Sequence, residues 1–345
     1  MNVRRLIPST ALAGAVALGL VSLSACSGTS DAADKAGAGK LDVVASFYPM
    51  QFLAERIGGN NVSVQTLTEP GTEPHDLELK PRQIAELGDA DVILFLKGVQ
   101  PAVDKAIEQA GVKHTVDAAT LTKLEDHGSS EDHDHAGEST EEHAGHADES
   151  KDEHADEPKG EHADEHGHES EAGGDPHIWL DPVKYAEVAK GVGAALKKAD
   201  PAHAADYQKN TDALVKQLGE LDTAFEQGLK NTATRTFITT HSAFGYLAER
   251  YKLDQEGIQG LDPESEPSPA RIKELQATAK EEKVTTVFFE TLASDKTAKT
   301  LAKDTGLKTD VLDPLEGITD RSKGDDYMEV MQANLTALKK ALGAK

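Results

Sequence analysis

The chain has 345 residues, with 36 lysines and arginines against 61 aspartates and glutamates, and a formal net charge of −25. This charge argues against a nucleic-acid-binding protein, because phosphate recognition needs clustered cations. The single cysteine excludes disulfide frameworks, thiolate zinc sites and iron–sulfur clusters.

The N-terminal 25 residues have the pattern of a secretory signal. Two arginines precede an apolar run, 6–23, and the run ends in the residues Leu-Ser-Ala-Cys. This ending resembles the bacterial lipobox, which implies that Cys26 is lipidated and becomes the first residue of the mature chain. Residues 26–40 are small and polar and predict a flexible tether. We therefore expect an extracytoplasmic protein that is lipid-anchored to the bacterial cell membrane through Cys26.

Residues 41–199 are predicted to form an N-terminal α/β lobe. Apolar runs alternate there with amphipathic stretches, which indicates a mainly parallel sheet covered by helices. The predicted strands are 43–47, 62–67 and 91–96, and the predicted helices are 50–57, 81–87, 101–109 and 182–199.

An insert at 125–172 interrupts this lobe. It contains 19 acidic residues and two lysines, so it carries −17 of the net charge of −25, together with nine of the 14 histidines. Because it has no apolar periodicity, it cannot offset its ordering entropy and is predicted to be disordered without metal. Closely spaced histidines predict weak secondary metal sites in it: His133, His135, His143, His146, His166 and His168. The insert then collects or senses metal for a main site, and the alternative is a solvated acidic tract.

A long helix and a second α/β lobe complete the predicted fold. Residues 200–230 show helical periodicity without an internal proline and suit a rigid connector between the lobes. Residues 231–345 repeat the alternation of the first lobe, and a ligand is expected between the lobes, at the carboxyl ends of strands. The predicted strands are 235–240, 284–289 and 309–312, and the predicted helices are 243–251, 269–282, 294–305 and 328–342.

Five histidines remain outside the insert, and three of them stand at the ends of predicted elements. His75 lies in a proline-rich turn after a strand, His177 immediately precedes a helix, and His241 directly follows a strand. Glu290 directly follows the next strand. Three imidazoles and a carboxylate match the preference of Zn²⁺ for nitrogen and oxygen donors in a four-coordinate shell. The other two histidines are predicted to be structural: His114 and His203.

Five ordered motifs resemble the zinc-specific solute-binding lipoproteins of bacterial ABC uptake systems (ZnuA/AdcA-like, metal-binding cluster A-I). They are EPHDLELKP, GDPHIWLDP, THSAFGYLAERY, GLDPESEPSPARIKEL and VFFE. The resemblance covers 41–345 apart from the insert and implies two lobes bridged by a rigid helix, with metal in the cleft. It also implies that His75, His177 and His241 bind zinc and that Glu290 is the carboxylate ligand. Manganese and iron relatives tend to have glutamate at the position of His241, so the imidazole favours zinc.

The expected function is high-affinity capture of Zn(II) and its delivery to a cognate ABC permease. We expect a monomer that is not an enzyme and binds no nucleic acid. The alternatives are the same fold carrying manganese, iron or nickel, a surface adhesin, and a zinc hydrolase. The hydrolase stays open because three protein ligands plus water also describe catalytic zinc, although the sequence contains no HExxH motif.

Overall fold

Two four-stranded parallel sheets organise the residues that the computed structural model describes, which are 39–112, 114–127 and 174–345. The first sheet contains β1 (Leu41–Ala45), β2 (Val62–Thr66), β3 (Val92–Phe95) and β4 (Thr115–Asp117). The second contains β5 (Thr236–Thr239), β6 (Asp254–Gly257), β7 (Thr286–Phe289) and β8 (Lys308–Val311). The strand orders are β2-β1-β3-β4 and β6-β5-β7-β8. In each sheet the strands are therefore added first on one side of the first strand and then on its other side, which creates a topological switch point. The predicted fold of two α/β lobes is confirmed.

Helices cover the sheets of the described chain. In the first half they are α1 (Tyr48–Gly58), α2 (Pro81–Asp89), α3 (Pro101–Ala110) and α4 (Pro182–Ala199). Then follow α5 (Ala204–Leu229), α6 (Gly245–Tyr251), α7 (Pro269–Glu281), α8 (Lys296–Thr305) and α9 (Tyr327–Ala341). None of the helices in the described ranges is long and apolar enough to span a bilayer.

The long helix α5 connects the cores of the two lobes. Its 26 residues extend for about 39 Å at 1.5 Å per residue. It packs against α4 and α1 of the first lobe and against α9 of the second. One hydrophobic cluster therefore runs from Phe52 through Leu218 and Phe225 to Phe237. Helix α5 lies within the range 200–230, where the sequence predicts a helix.

The structure adds two short strands and moves one boundary. β4 and β6 are not among the strands predicted from the sequence; they have few apolar residues and lie at sheet edges. Residues 125–127, predicted to belong to the disordered insert, are instead packed on the folded body, where the Glu125 N–H donates to the Tyr246 hydroxyl at 2.8 Å. The signal, Cys26 and the six histidines predicted as weak metal sites lie outside the described residues.

The contact between α4 and α5 provides a test of packing. A Cβ at Gly193 would lie 2.2 Å from the Thr211 Oγ1, which is already held by the Tyr207 carbonyl at 2.7 Å. We predict that Gly193→Ala destabilises the protein by about 1–3 kcal/mol through overpacking. Gly219 is an exposed position of α5 where an added Cβ would meet no neighbouring atom within 4 Å. Gly219→Ala should therefore stabilise the protein by about 0.5–1 kcal/mol. Urea unfolding of the metal-free protein measures both; equal effects would contradict this packing.

Candidate metal centre

Three imidazoles and one carboxylate converge between the lobes. The Nε2 atoms of His75, His177 and His241 lie 3.5, 3.4 and 3.4 Å from the Glu316 Oε1. One ligand-type atom from each residue lies within 4.8 Å of all the others. The side chains of His177, His241 and Glu316 are fully buried, whereas that of His75 is 13% exposed. The cluster is therefore most accessible to solvent at His75.

The atoms that face one another in this cluster are buried and have no hydrogen-bond partner. They are the three Nε2 atoms and both carboxylate oxygens of Glu316. A buried polar group without a partner is costly, and native proteins rarely keep several of them together. Five such atoms around one point are the arrangement that a bound cation would satisfy.

All four cluster residues lie in loops between strands and helices. His75 lies in the loop after β2, and His241 is the second residue after the end of β5. His177 precedes a short 3₁₀ turn, Ile178–Leu180, that leads into α4. Glu316 lies in the loop between β8 and α9. The carboxyl ends of parallel strands meet at one edge of a sheet, so the fold brings these loops together.

The other ring nitrogens of two imidazoles are held by carboxylates. The His177 Nδ1 pairs with the Asp175 Oδ1 at 2.7 Å, and the His241 Nδ1 pairs with the Glu290 Oε1 at 2.6 Å. A carboxylate accepts here, so each Nδ1 carries a proton; in the neutral imidazole the Nε2 lone pair then faces the cluster. The Thr240 hydroxyl also donates to the same Glu290 oxygen.

The predicted carboxylate Glu290 and the observed cluster carboxylate Glu316 occupy different places. Glu290 lies on the Nδ1 side of His241, whereas Glu316 faces the Nε2 atoms of all three histidines. Glu316 was not predicted from the sequence. It does not directly follow a strand as Glu290 does, because four residues lie between the observed end of β8 and Glu316.

The loop that carries Glu316 is held in a strained conformation. Leu315 has φ = 60° and is buried, a conformation that costs a non-glycine residue about 1–3 kcal/mol. The Asp313 Oδ1 accepts the Leu315 N–H at 2.9 Å, and its Oδ2 accepts the Ser322 hydroxyl at 2.9 Å. The Asn334 side chain binds both the N–H and the carbonyl of Asp313, at 3.0 and 2.7 Å. These bonds direct Glu316 into the cluster.

Trp179 connects this loop to the turn that carries His177. Its Nε1 donates to the Pro314 carbonyl at 2.7 Å, and its ring lies 5.1 Å from the His177 ring. Its own carbonyl accepts the Tyr327 hydroxyl at 2.6 Å. Two cluster residues from distant parts of the sequence are thus fixed against each other by one buried indole.

The charges of the cluster are interdependent. Burial tends to raise the pKa of Glu316, but the neighbouring imidazoles of His177, His241 and His75 hold it well below its ordinary value. Burial lowers the pKa of His241, yet Glu290 and then Glu316 raise it well above its usual range. The pKa of His177 is likewise raised against burial, chiefly by Asp175. Without metal, the two imidazoles therefore bind protons more strongly than a free histidine.

A further carboxylate, Glu73, borders the cluster. Its Oε1 accepts the His75 backbone N–H at 3.0 Å, and its Oε2 is buried without a partner. Burial and then the neighbouring Glu316 raise the pKa of Glu73 to about 8. The site thus combines a strongly acidic carboxyl group at Glu316 with a weakly acidic one at Glu73.

The chain matches a family model and curated relatives over most of its length. The model, described as zinc-uptake complex component A, periplasmic, matches residues 43–341. The high-affinity zinc uptake system protein ZnuA of Bacillus subtilis is 36% identical over 332 residues, covering 94% of this chain and 95% of that protein. The zinc-binding lipoprotein AdcA of Streptococcus pneumoniae is 34% identical over 310 residues, which cover 87% of this chain. The chain spans only 56% of that relative.

A solved structure agrees with these matches. The Zn(II)-bound ZnuA-like domain of Streptococcus pneumoniae AdcA is 31% identical, with a TM-score of 0.66, and the alignment covers 88% of this chain and 99% of that domain. Its fold likewise corresponds to the two-lobed arrangement described above. On the extent of the family match and the identity to its relatives, the chain belongs to the ZnuA family of periplasmic zinc-uptake components.

Proposed function

We propose that this protein captures one Zn²⁺ between its lobes and delivers it to a cognate ABC permease. The observation that carries the proposal is the convergence of three imidazole Nε2 atoms and the Glu316 carboxylate, all buried and without hydrogen-bond partners. Zinc is the cargo in this proposal, because a solute-binding protein must hold its ion tightly and also release it. The names of the zinc-uptake relatives support this role.

The distances from Glu316 to the three imidazoles suit a tetrahedral zinc ion. Zinc bonds to nitrogen and oxygen ligands measure about 2.0–2.2 Å, so two ligands of a tetrahedral ion lie about 3.3–3.6 Å apart. The three distances from the Glu316 Oε1 to the imidazoles are 3.4–3.5 Å. We therefore assign His75, His177, His241 and Glu316 as the ligands. Glu290, predicted from the sequence as a ligand, is assigned instead to the support of His241.

Four protein ligands favour binding over hydrolysis. A catalytic zinc usually keeps a position for water, whereas a closed shell of four protein ligands leaves none. Three imidazoles with a single carboxylate also suit zinc better than manganese, which prefers oxygen ligands. The protein is therefore proposed to be a carrier rather than an enzyme.

Lipid anchoring at Cys26 would keep the carrier near its permease. The tether 26–40 joins this cysteine to β1, and the relative from Streptococcus pneumoniae is named a lipoprotein. A monomer held to the membrane by lipid can exchange zinc with a permease in the same membrane without diffusing away. Anchoring, the monomeric state and the permease all belong to this proposal.

Matched substitutions test the ligand assignment. We predict that Glu316→Gln and His241→Ala lower zinc affinity about 100-fold or more, because each removes a direct ligand. Glu290→Gln should cost about 10-fold, since it alters only a group that supports a ligand, and His203→Ala should cost nothing measurable. Competition with a chromophoric chelator measures the affinities. Equal losses in Glu316→Gln and Glu290→Gln would refute the assignment.

The raised pKa of His177 and His241 predicts how the effect of zinc depends on pH. Their protonated forms stabilise the metal-free fold fully below about pH 6.5, the ordinary histidine value, and this stabilisation is lost as pH rises through the raised pKa. Zinc must displace these protons, so it competes better at high pH. We predict that zinc raises the melting temperature more at pH 8 than at pH 6. A shift of equal size at both values would contradict imidazole ligands.

The histidine-rich insert is proposed to be a low-affinity zinc collector or sensor. All four assigned ligands lie outside it. The residues that flank it are hydrogen-bonded to each other, since the Asp175 N–H donates to the Glu125 carbonyl at 2.9 Å. We predict that replacing 128–173 by a short Gly-Ser linker keeps one tight zinc site and removes only weaker ones. Isothermal titration calorimetry measures the stoichiometry, and loss of the tight site would overturn this division of roles.

A further inference from the structure

The first histidine of the acid-rich segment, His127, is tied to the support of the metal cluster. Its Nδ1 pairs with the Asp175 Oδ2 at 2.8 Å, and its Nε2 pairs with the Glu249 Oε2 at 3.0 Å. Its side chain is 17% exposed. Both of its ring nitrogens are therefore paired with carboxylates, although it belongs to the segment that the sequence predicts to be disordered.

The N-terminal part of α6 forms a seat for this imidazole. The ring of Tyr246 meets the His127 ring edge-on, with centroids 4.4 Å apart. A Cβ at Gly245 would lie 2.6 Å from the Cβ and Cγ of His127, so only glycine permits this approach. Glu249, one turn further along α6, reaches the His127 Nε2. Three residues of one helix thus contact or make room for the His127 side chain.

Asp175 connects this seat to the cluster. Its Oδ1 accepts both the Nδ1–H and the backbone N–H of His177, at 2.7 and 2.9 Å, and its Oδ2 contacts His127. The Asp175 side chain is fully buried. Without His127, the Oδ2 would lose the one hydrogen bond that the described residues give it. A buried carboxylate with an unpaired oxygen rotates toward a new partner or admits water, and either change disturbs the bond to His177.

We propose that His127 is a positioning residue for zinc binding: it holds Asp175 in the orientation that keeps the His177 Nδ1–H bonded and its Nε2 aimed at the ion. This inference rests on the proposed function, because it takes His177 as a ligand. The competing explanation is purely structural, with His127 fastening residues 125–127 to α6. The two differ in what happens when a different donor replaces the imidazole.

The test compares zinc affinity in His127→Ala, His127→Gln and a control, His203→Ala. His203 also pairs with a carboxylate, the Asp200 Oδ2 at 2.6 Å, but it contacts no cluster residue within the described chain. We expect His127→Ala to lower zinc affinity about 10-fold, the low end for groups that support a metal ligand. His127→Gln should restore most of the affinity, because its amide N–H can donate to Asp175. His203→Ala should leave affinity unchanged.

Two spectroscopic readouts separate positioning from folding. The visible spectrum of the Co²⁺-loaded protein should change in His127→Ala and return in His127→Gln. In the metal-free wild type, NMR should detect the His177 Nδ1–H proton. In His127→Ala, this proton should exchange faster with solvent. If His127→Ala does not fold, Glu249→Ala replaces it, because this exposed residue holds His127 without touching Asp175.

The outcomes are distinct for the two proposals. Wild-type zinc affinity, an unchanged Co²⁺ spectrum and a protected His177 proton in folded His127→Ala would overturn the positioning role. Losses in His127→Gln as large as those in His127→Ala would also overturn it. Failure of the wild type to bind zinc would instead overturn the proposed function, and the NMR comparison would still decide whether His127 holds His177 in place.

Discussion

The structure depends on one electrostatic constraint: a buried carboxylate faces three imidazoles, and none of the facing atoms has a hydrogen-bond partner. Removing Glu316 and its three neighbours from water without compensation is costly. In the metal-free protein, Glu290 and then Glu316 raise the pKa of His241, and the imidazoles lower that of Glu316, so protons on the imidazoles offset part of this cost. A divalent cation satisfies all of these atoms at once. Exchange between protons and metal is therefore built into the site.

The surrounding fold keeps these groups facing one another. Asp175 and Glu290 fix two imidazoles through their Nδ1 atoms, while the strained backbone at Leu315 points Glu316 inward. Trp179 links the two loops by one hydrogen bond and one ring contact. Because α5 shares one hydrophobic core with both lobes, we infer that release of zinc requires movement of loops more than separation of the lobes. His75, the least buried residue of the cluster, is the natural place for such movement.

The sequence was sufficient to predict the architecture and three of the four cluster residues. The fully buried strands β3 and β5 were predicted to within one residue at each end, and the carboxyl end of β5 located His241. The edge strands β4 and β6 were missed, since short segments with few apolar residues carry little periodic signal. The choice between Glu290 and Glu316 depends on which way a loop turns. That direction is set by Leu315 and by the hydrogen bonds of Asp313, which no spacing rule encodes.

The most direct test of the central claim is anomalous diffraction at the zinc absorption edge from crystals of the zinc-loaded protein. We predict one strong peak between the lobes, from a zinc ion bonded to the Nε2 atoms of His75, His177 and His241 and to the Glu316 carboxylate. Glu290 should remain hydrogen-bonded to the Nδ1 of His241. A zinc ion bonded to Glu290 in place of Glu316, or no zinc among the three imidazoles, would contradict it.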